Sequence, residues 1–114
     1  MLVKLYDIAF ARSGDKGSTA NIGVAARSPE FYDVILEQVT AERVHEYFED
    51  ICEGKVIRYE LANLRAINLV LTDVLDGGGT RSLRMDPQGK TLCDALMLMP
   101  IELEARLANR VGSL

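Results

Sequence analysis

The stretch from residue 66 to residue 74 limits the possible folds more than any other part of the sequence. Aliphatic residues fill positions 66–71 apart from Asn68. The run is far shorter than the roughly 20 apolar residues of a membrane-spanning helix, and it has the length of one strand. A strand with one wet face would alternate between apolar and polar residues. We therefore predict a central strand that is buried on both faces.

Three further segments predict strands around it. Residues 55–61 alternate cleanly between apolar and charged side chains, so we expect the apolar set to face a core and the charged set to face water. Looser alternation predicts strands over residues 2–11 and 20–27. The polar residues 12–19 between these two form a predicted loop, which favours antiparallel pairing.

Two short amphipathic helices are predicted between residues 28 and 54. Ser28 followed by Pro29 is typical of a helix start, with Ser as the N-cap and Pro in the first turn. Thr40 marks a second N-cap, and Gly54 occupies the place of a helix C-cap.

The last predicted helix covers residues 88–109, where leucine and methionine recur at helical spacing and Pro100 should cause a kink. The resulting order is strand, strand, helix pair, strand, strand, helix. It indicates an α+β fold, with an antiparallel sheet of about four strands and helices packed on one face. The other face has no assigned cover, and a partner chain is the simplest candidate.

Composition and charge exclude several classes of function. The chain has 114 residues, with 13 Lys and Arg against 17 Asp and Glu, so we expect a single domain, residues 1–114, with net charge −4. This balance is unsuited to nonspecific nucleic-acid binding. No segment is long enough to span a membrane and residues 1–7 lack the order of a signal peptide, which indicates a cytoplasmic protein with reduced cysteines. One His and two Cys cannot form the usual zinc site, so we expect neither a metal nor a cofactor.

The polar residues 12–19 hold the first candidate site. Their glycines allow backbone N–H groups to converge on an anion, and a lysine adds positive charge. The candidate ligand- or partner-binding residues here are Arg12, Ser13, Asp15 and Lys16. The segment is not a P-loop, because the GxxxxGK[ST] spacing is absent and a strand follows instead of a helix. The alternative is ordinary turn geometry, in which Ser13 and Asp15 bond to the backbone.

A second candidate site lies at residues 77–90, where three cations accompany three adjacent glycines. Near the N-terminus of the last helix, such cations suit a carboxylate, a phosphate or a pyrophosphate. The candidate residues are Gly78, Gly79, Arg84 and Lys90. A structural ion pair between Arg84 and a nearby acid explains the same pattern, and the sequence leaves both explanations open.

Asn21 and Asn68 are polar residues inside strands of small or apolar residues. A buried amide is costly unless its hydrogen bonds are met, so these residues either bridge strands or face a ligand. The single histidine, His45, has acidic neighbours on a helix face and no paired nucleophile. Nucleophilic catalysis is therefore disfavoured.

Three separated signatures occur in order along the chain. They are AFARSGDKG from Ala9 followed by NIG from Asn21, then NLVL from Asn68, then LDGGGT from Leu75 followed by SLRMDPQGK from Ser82. Together they resemble the AtuA-like ferredoxin-fold domain, the small C-terminal domain of the acyclic terpene utilisation proteins, which also occurs as a separate short chain. The resemblance covers nearly all 114 residues.

This resemblance implies a ferredoxin-like α+β fold and a role beside a larger AtuA-type chain. That larger chain is associated with the breakdown of branched isoprenoid acids through acyl-CoA intermediates. The resemblance supplies no established catalytic residue, and Ser18 stands where the family commonly has an acid. We therefore expect an accessory subunit that binds a partner chain or an acyl-CoA-type anion through its two polar segments.

Two other functions stay open at this point. One is an acyl-CoA hydratase or lyase, with Asp15 as general acid or base and Lys16, Arg84 or backbone N–H groups stabilising an oxyanion. The other is a structural homo-oligomer that buries its exposed sheet face against a second copy. All three functions predict an assembly larger than a monomer.

Overall fold

The computed structural model describes residues 1–74 and 90–111, with the backbone alone at residues 15, 16, 90 and 91. Helices cover one face of an antiparallel sheet, so the predicted α+β class is confirmed. The strands are β1 (Leu2–Lys4), β2 (Ala9–Lys16), β3 (Thr19–Ala26), β4 (Val56–Leu61), β5 (Ala66–Leu71) and β6 (Pro100–Glu102). The helices are α1 (Pro29–Gln38), α2 (Ala41–Tyr47), α3 (Lys90–Leu96) and α4 (Ala105–Val111). No helix within these ranges is long and apolar enough to cross a membrane.

The main sheet has four antiparallel strands in the order β2-β3-β5-β4. Strands β2 and β3 form a tight hairpin, because Lys16 pairs with Thr19. Gly17 has φ +65° in the turn, a conformation typical of a type II′ hairpin and easily adopted only by glycine. The predicted antiparallel pairing is confirmed. The loop predicted over residues 12–19 is wrong, because the strand ladder continues to residue 16.

The predicted first strand, residues 2–11, consists of two strands in two sheets. Strand β1 pairs with β6 in a separate two-stranded sheet, whereas β2 joins the main sheet. A 3₁₀ turn, Leu5–Asp7, divides them. The Asp7 carboxylate accepts a hydrogen bond of 2.9 Å from the backbone N–H of Lys4. This bond stabilises the turn and ends the first strand.

The continuous helix predicted over residues 88–109 is wrong. Its described part contains α3, β6 and α4, and Pro100 begins the strand instead of kinking a helix. Three alternate residues, Met99, Ile101 and Leu103, are buried, while the residues between them are exposed. This alternation has the period of a strand, and the ladder with β1 satisfies the backbone hydrogen bonds.

The helix starts predicted at Ser28 and Thr40 are confirmed. Helix α1 begins directly after Ser28, and the Thr40 side chain accepts a backbone hydrogen bond of 3.1 Å at the start of α2. Gly54 does not cap α2, because that helix already ends at Tyr47. The Gly54 carbonyl oxygen instead lies 3.0 Å from Nε2 of His45.

The core lies between the helices and one face of the main sheet. Alternate residues of the two central strands point into it and are at most 2% exposed: Ala20, Ile22, Val24, Ile67, Leu69 and Leu71. The residues of β5 between them are only half-buried. The described residues therefore bury this strand on one face and leave the other open, and cover of that second face by a partner chain stays a prediction.

Candidate functional site

The uncovered side of the main sheet, which we call the open face, presents three rows of residues across all four strands. The strand register defines each row in the order β2, β3, β5, β4. The first row is Phe10, Ala25, Ala66 and Leu61, the second is Arg12, Gly23, Asn68 and Tyr59, and the third is Gly14, Asn21, Val70 and Ile57. In the first two rows, large side chains lie on the outer strands and mostly small ones on the central strands.

This pattern produces a depression of about 660 Å³ on the open face. It is lined mainly by the first two rows. Gly23 lies in the floor, where an added Cβ would meet nothing nearer than the Arg12 carbonyl oxygen at 4.0 Å. A side chain at this position would therefore fill part of the depression without a clash.

Large apolar side chains form the two walls of the depression. Phe10 is 55% exposed on one wall, and Tyr59 and Leu61 are 49% and 41% exposed on the other. Single exposed apolar residues are common on protein surfaces, but contiguous apolar surface marks interaction sites. Within the described residues, the open face is thus well suited to binding.

Arg27 holds the Phe10 wall in place. Its guanidinium carbon lies 4.1 Å from the centroid of the Phe10 ring and 5.3 Å from the centroid of the Tyr6 ring. Arg27 Nε also donates a hydrogen bond of 3.0 Å to the Tyr6 carbonyl oxygen. Cation–π contacts within about 6 Å are attractive, so the wall has a defined position.

The second and third rows supply the polar groups of the open face. Asn21 Nδ2 donates a hydrogen bond of 3.3 Å to Asn68 Oδ1. The Asn68 Nδ2 group and the exposed Arg12 guanidinium have no ion pair or hydrogen-bond partner within residues 1–74 and 90–111. None of the residues in the three rows is Asp or Glu. This face is therefore positively charged in a chain whose net charge is −4.

The structure brings together three of the residues singled out in the sequence, namely Arg12, Asn21 and Asn68. Ser13 is the neighbour of Arg12 on the strand and faces the other way. Its Oγ accepts a hydrogen bond of 3.3 Å from the backbone N–H of Cys93 in α3. Ser13 thus contacts the helical layer and does not line the depression.

For the remaining candidate residues, the structure describes either the backbone alone or nothing. Asp15 and Lys16 end β2 and pair in register with Ala20 and Thr19, while Lys90 begins α3. Gly78, Gly79 and Arg84 lie outside the described residues. A single site formed by both polar segments therefore stays a prediction.

Sequence reasoning missed the wall on β4 because the faces of this strand are reversed relative to the prediction. The apolar side chains were expected to face the core and the charged ones to face water. The Arg58 side chain faces the helices and is 19% exposed, whereas Tyr59 faces solvent. Arg58 Nη1 donates hydrogen bonds of 2.7 Å and 3.0 Å to the carbonyl oxygens of Leu36 and Val39. Carbonyls at the end of a helix lack partners within it, so a guanidinium is stabilising there.

The small residues of the floor were also missed. Gly23 and Ala25 occupy alternate positions of β3, and Ala66 lies directly opposite Ala25 on β5. Small residues at alternate positions of a strand are a signal for a floor of this kind. The signal becomes informative only once the register places the two strands side by side.

The groups with altered acidity lie away from the depression. Burial raises the pKa of the Cys52 thiol and of the Tyr47 hydroxyl, and a hydrogen bond from Ser28 lowers the pKa of Glu30. None of these groups lines the depression. The described residues also contain no cluster of three or more His, Cys, Asp or Glu that could hold a metal ion. The depression offers apolar contact and hydrogen-bond donors.

These features define a two-layer α+β domain whose described residues leave one sheet face uncovered. A family model described as the AtuA ferredoxin-like domain matches residues 3–102, which is most of the chain. The chain therefore belongs to the AtuA ferredoxin-like domain family, and the ferredoxin-like α+β fold expected from the resemblance is confirmed. No curated protein and no solved structure matches the chain.

Proposed function

We propose that this chain is an accessory domain or subunit that packs its open face against a larger AtuA-type chain. The observation that carries the proposal is the uncovered face itself, with Phe10, Tyr59 and Leu61 each more than 40% exposed around a floor of small residues. Family membership supports the choice of partner, because the matching model describes an AtuA domain.

The composition of the face supports a protein partner. Interfaces are enriched in aromatic residues and arginine and are depleted in acidic residues at their centres. Tyr59 and Arg12 lie in the same row and are therefore candidate hot spots. A partner that supplies apolar side chains to the walls and a carboxylate to Arg12 would match this surface.

In this proposal the assembly acts in the catabolism of branched isoprenoid acids as acyl-CoA compounds, and this chain contributes a binding surface. The lining of the depression supports an accessory role, since its described residues include no carboxylate, histidine or cysteine for acid–base or nucleophilic chemistry. The family resemblance is the support for the pathway.

The test is calorimetric titration of the purified chain with the larger AtuA-type chain encoded in the same genome. We expect a defined complex, and Tyr59→Ser should weaken binding about tenfold or more, as loss of an interface hot spot does. Leu98→Ser is the matched control, because Leu98 is 57% exposed but is not part of the open face.

Two results would overturn the proposal. One is the absence of a complex, and the other is an equal loss of affinity in the Tyr59→Ser and Leu98→Ser variants. Sedimentation velocity of the chain alone should precede the titration. A stable homo-oligomer that Tyr59→Ser dissociates would assign the open face to a second copy instead.

A further inference from the structure

We propose that the depression on the open face is a binding site for an aliphatic carboxylate, such as a medium-chain fatty acid. The carboxylate would contact Arg12 and Asn68, and the alkyl chain would lie on the small-residue floor between Phe10 and Leu61. This inference goes beyond the accessory role, because the described lining residues all belong to this chain and no partner is needed to supply them.

The shape of the depression suits one alkyl chain. Phe10 and Leu61 lie at opposite ends of a row that crosses four strands, so their Cα atoms are about 14 Å apart. Between them lie Ala25 and Ala66, which have no atoms beyond Cβ. The space left between the walls accepts a single chain, and the volume of about 660 Å³ lies within the range of small-molecule sites.

The polar groups lie at one end of this space. Arg12 and Asn68 belong to the second row, and both are register neighbours of Gly23. Gly23 has no side chain, so their donors flank an empty position above the backbone. The bond from Asn21 occupies Asn68 Oδ1, which leaves the Asn68 Nδ2 hydrogens available to an acceptor.

Charge complementarity selects a carboxylate as the head group. Arg12 has no ion pair within the described residues, and no Asp or Glu occurs in the three rows of the open face. A guanidinium binds a carboxylate through two parallel hydrogen bonds. A neutral head group cannot form this charged pair of hydrogen bonds with Arg12, so the alcohol of the same chain length should bind more weakly.

The experiment is a ¹H–¹⁵N correlation titration of the full isolated chain with octanoate, octan-1-ol and acetate. We expect octanoate to cause saturable shifts at the Gly23 amide and the Asn68 side-chain amide. Octanol should bind at least about fivefold more weakly because it lacks the charge, and acetate should not saturate because it lacks the apolar contact.

Two pairs of variants test the two ends of the site. Gly23→Val fills the floor and should abolish saturable binding, while Ala105→Val, at an exposed position of α4 outside the lining, should leave it unchanged. Arg12→Gln should reduce the affinity for octanoate to that for octanol, while Lys55→Gln removes the same charge elsewhere and should have no effect. If Gly23→Val fails to fold, Gly23→Ala adds a smaller group in the same place.

The inference is overturned if octanol binds as tightly as octanoate, if Gly23→Val retains binding, or if the shifts lie outside the open face. It is also overturned if octanoate does not bind. The ligand and the proposed partner would contact the same residues and would therefore compete for the open face. No partner is present in the titration, so its outcomes test the ligand site alone. Conversely, failure to bind the AtuA-type chain would leave octanoate binding intact.

Discussion

Asn21 donates a hydrogen bond of 3.3 Å to Asn68 diagonally across β3 and β5, on the sheet face that the helices do not cover. Asn21 lies directly opposite Val70, and Asn68 lies directly opposite Gly23, so the two amides are diagonal neighbours. The bond fixes the orientation of the Asn68 amide. The Asn68 Nδ2 donor is thereby held in place before any ligand or partner arrives.

The amide pair should contribute little to folding. Asn21 is exposed and Asn68 is half-buried, so both can bond to water when the pair is broken. A double-mutant cycle with Asn21→Ala and Asn68→Ala should give a coupling free energy below about 1 kcal/mol in urea denaturation. A coupling of several kcal/mol would mean that the pair is a structural element and not part of a binding surface.

Arg58 should be important for stability although it lies on an edge strand. Its Nη1 bonds to two carbonyl oxygens at the end of α1, and its side chain is 19% exposed. Arg58→Met keeps the aliphatic stem but leaves these carbonyls unsatisfied, so the free energy of unfolding should fall by about 2–3 kcal/mol.

Arg106 provides the control for that measurement. It pairs with Glu104 at 2.9 Å, but its side chain is 74% exposed, so Arg106→Met should change stability by less than about 0.5 kcal/mol. Equal effects of the two substitutions in urea denaturation would contradict the buried role of Arg58.

Two glycines should respond in opposite ways to alanine. A Cβ at Gly54 would lie 2.5 Å from the Thr72 carbonyl oxygen, so Gly54→Ala should cost about 1–3 kcal/mol through forced backbone movement. Gly23 has open space above it, and Gly23→Ala should be neutral or stabilise the strand by up to about 1 kcal/mol. Thermal denaturation of both variants measures the difference, and destabilisation by Gly23→Ala would show that the floor is already filled.

Glu30 should make stability depend on pH in the acid range. Ser28 Oγ donates a hydrogen bond of 2.6 Å to the carboxylate, which lowers the pKa of Glu30 in the folded state. A lowered pKa means that the stabilisation is present above the ordinary glutamate range and is lost as the pH falls through the folded value. The difference in unfolding free energy between the wild-type chain and Glu30→Gln should therefore shrink as the pH falls below about 4. Ser28→Ala removes the hydrogen bond and should make this free-energy difference depend less on pH. A free-energy difference that grows as the pH falls would contradict the lowered pKa of Glu30.

Local signals predicted local structure well. The helix starts at Ser28 and Thr40 were correct because a helix start depends on residues within one turn. Only the Thr40 side chain accepts a capping hydrogen bond, whereas Ser28 Oγ bonds to the Glu30 carboxylate. The interruption of the first strand is also a local effect, caused by Asp7. The helix predicted over residues 88–109 failed for the opposite reason. Leucine spacing favoured a helix, but pairing with β1, distant in sequence, determines the strand β6.

The polar part of the candidate site was predictable and the apolar part was not. Arg12, Asn21 and Asn68 stand out from their neighbours in the sequence, and the register brings them onto one face. The outward turn of Tyr59 depends on Arg58 reaching the end of α1, a contact between separate elements. No pattern within β4 alone distinguishes this arrangement from the inverted one.

The proposed binding of the larger AtuA-type chain to the open face of the sheet can be tested residue by residue. The most direct measurement is a methyl-detected NMR spectrum of the labelled chain, recorded with and without the unlabelled partner. We expect shifts or broadening at the methyl groups of Ile57, Leu61 and Val70, with those of Leu36 and Leu98 unchanged. Perturbation confined to Leu36 and Leu98, or no perturbation at all, would contradict the proposed binding.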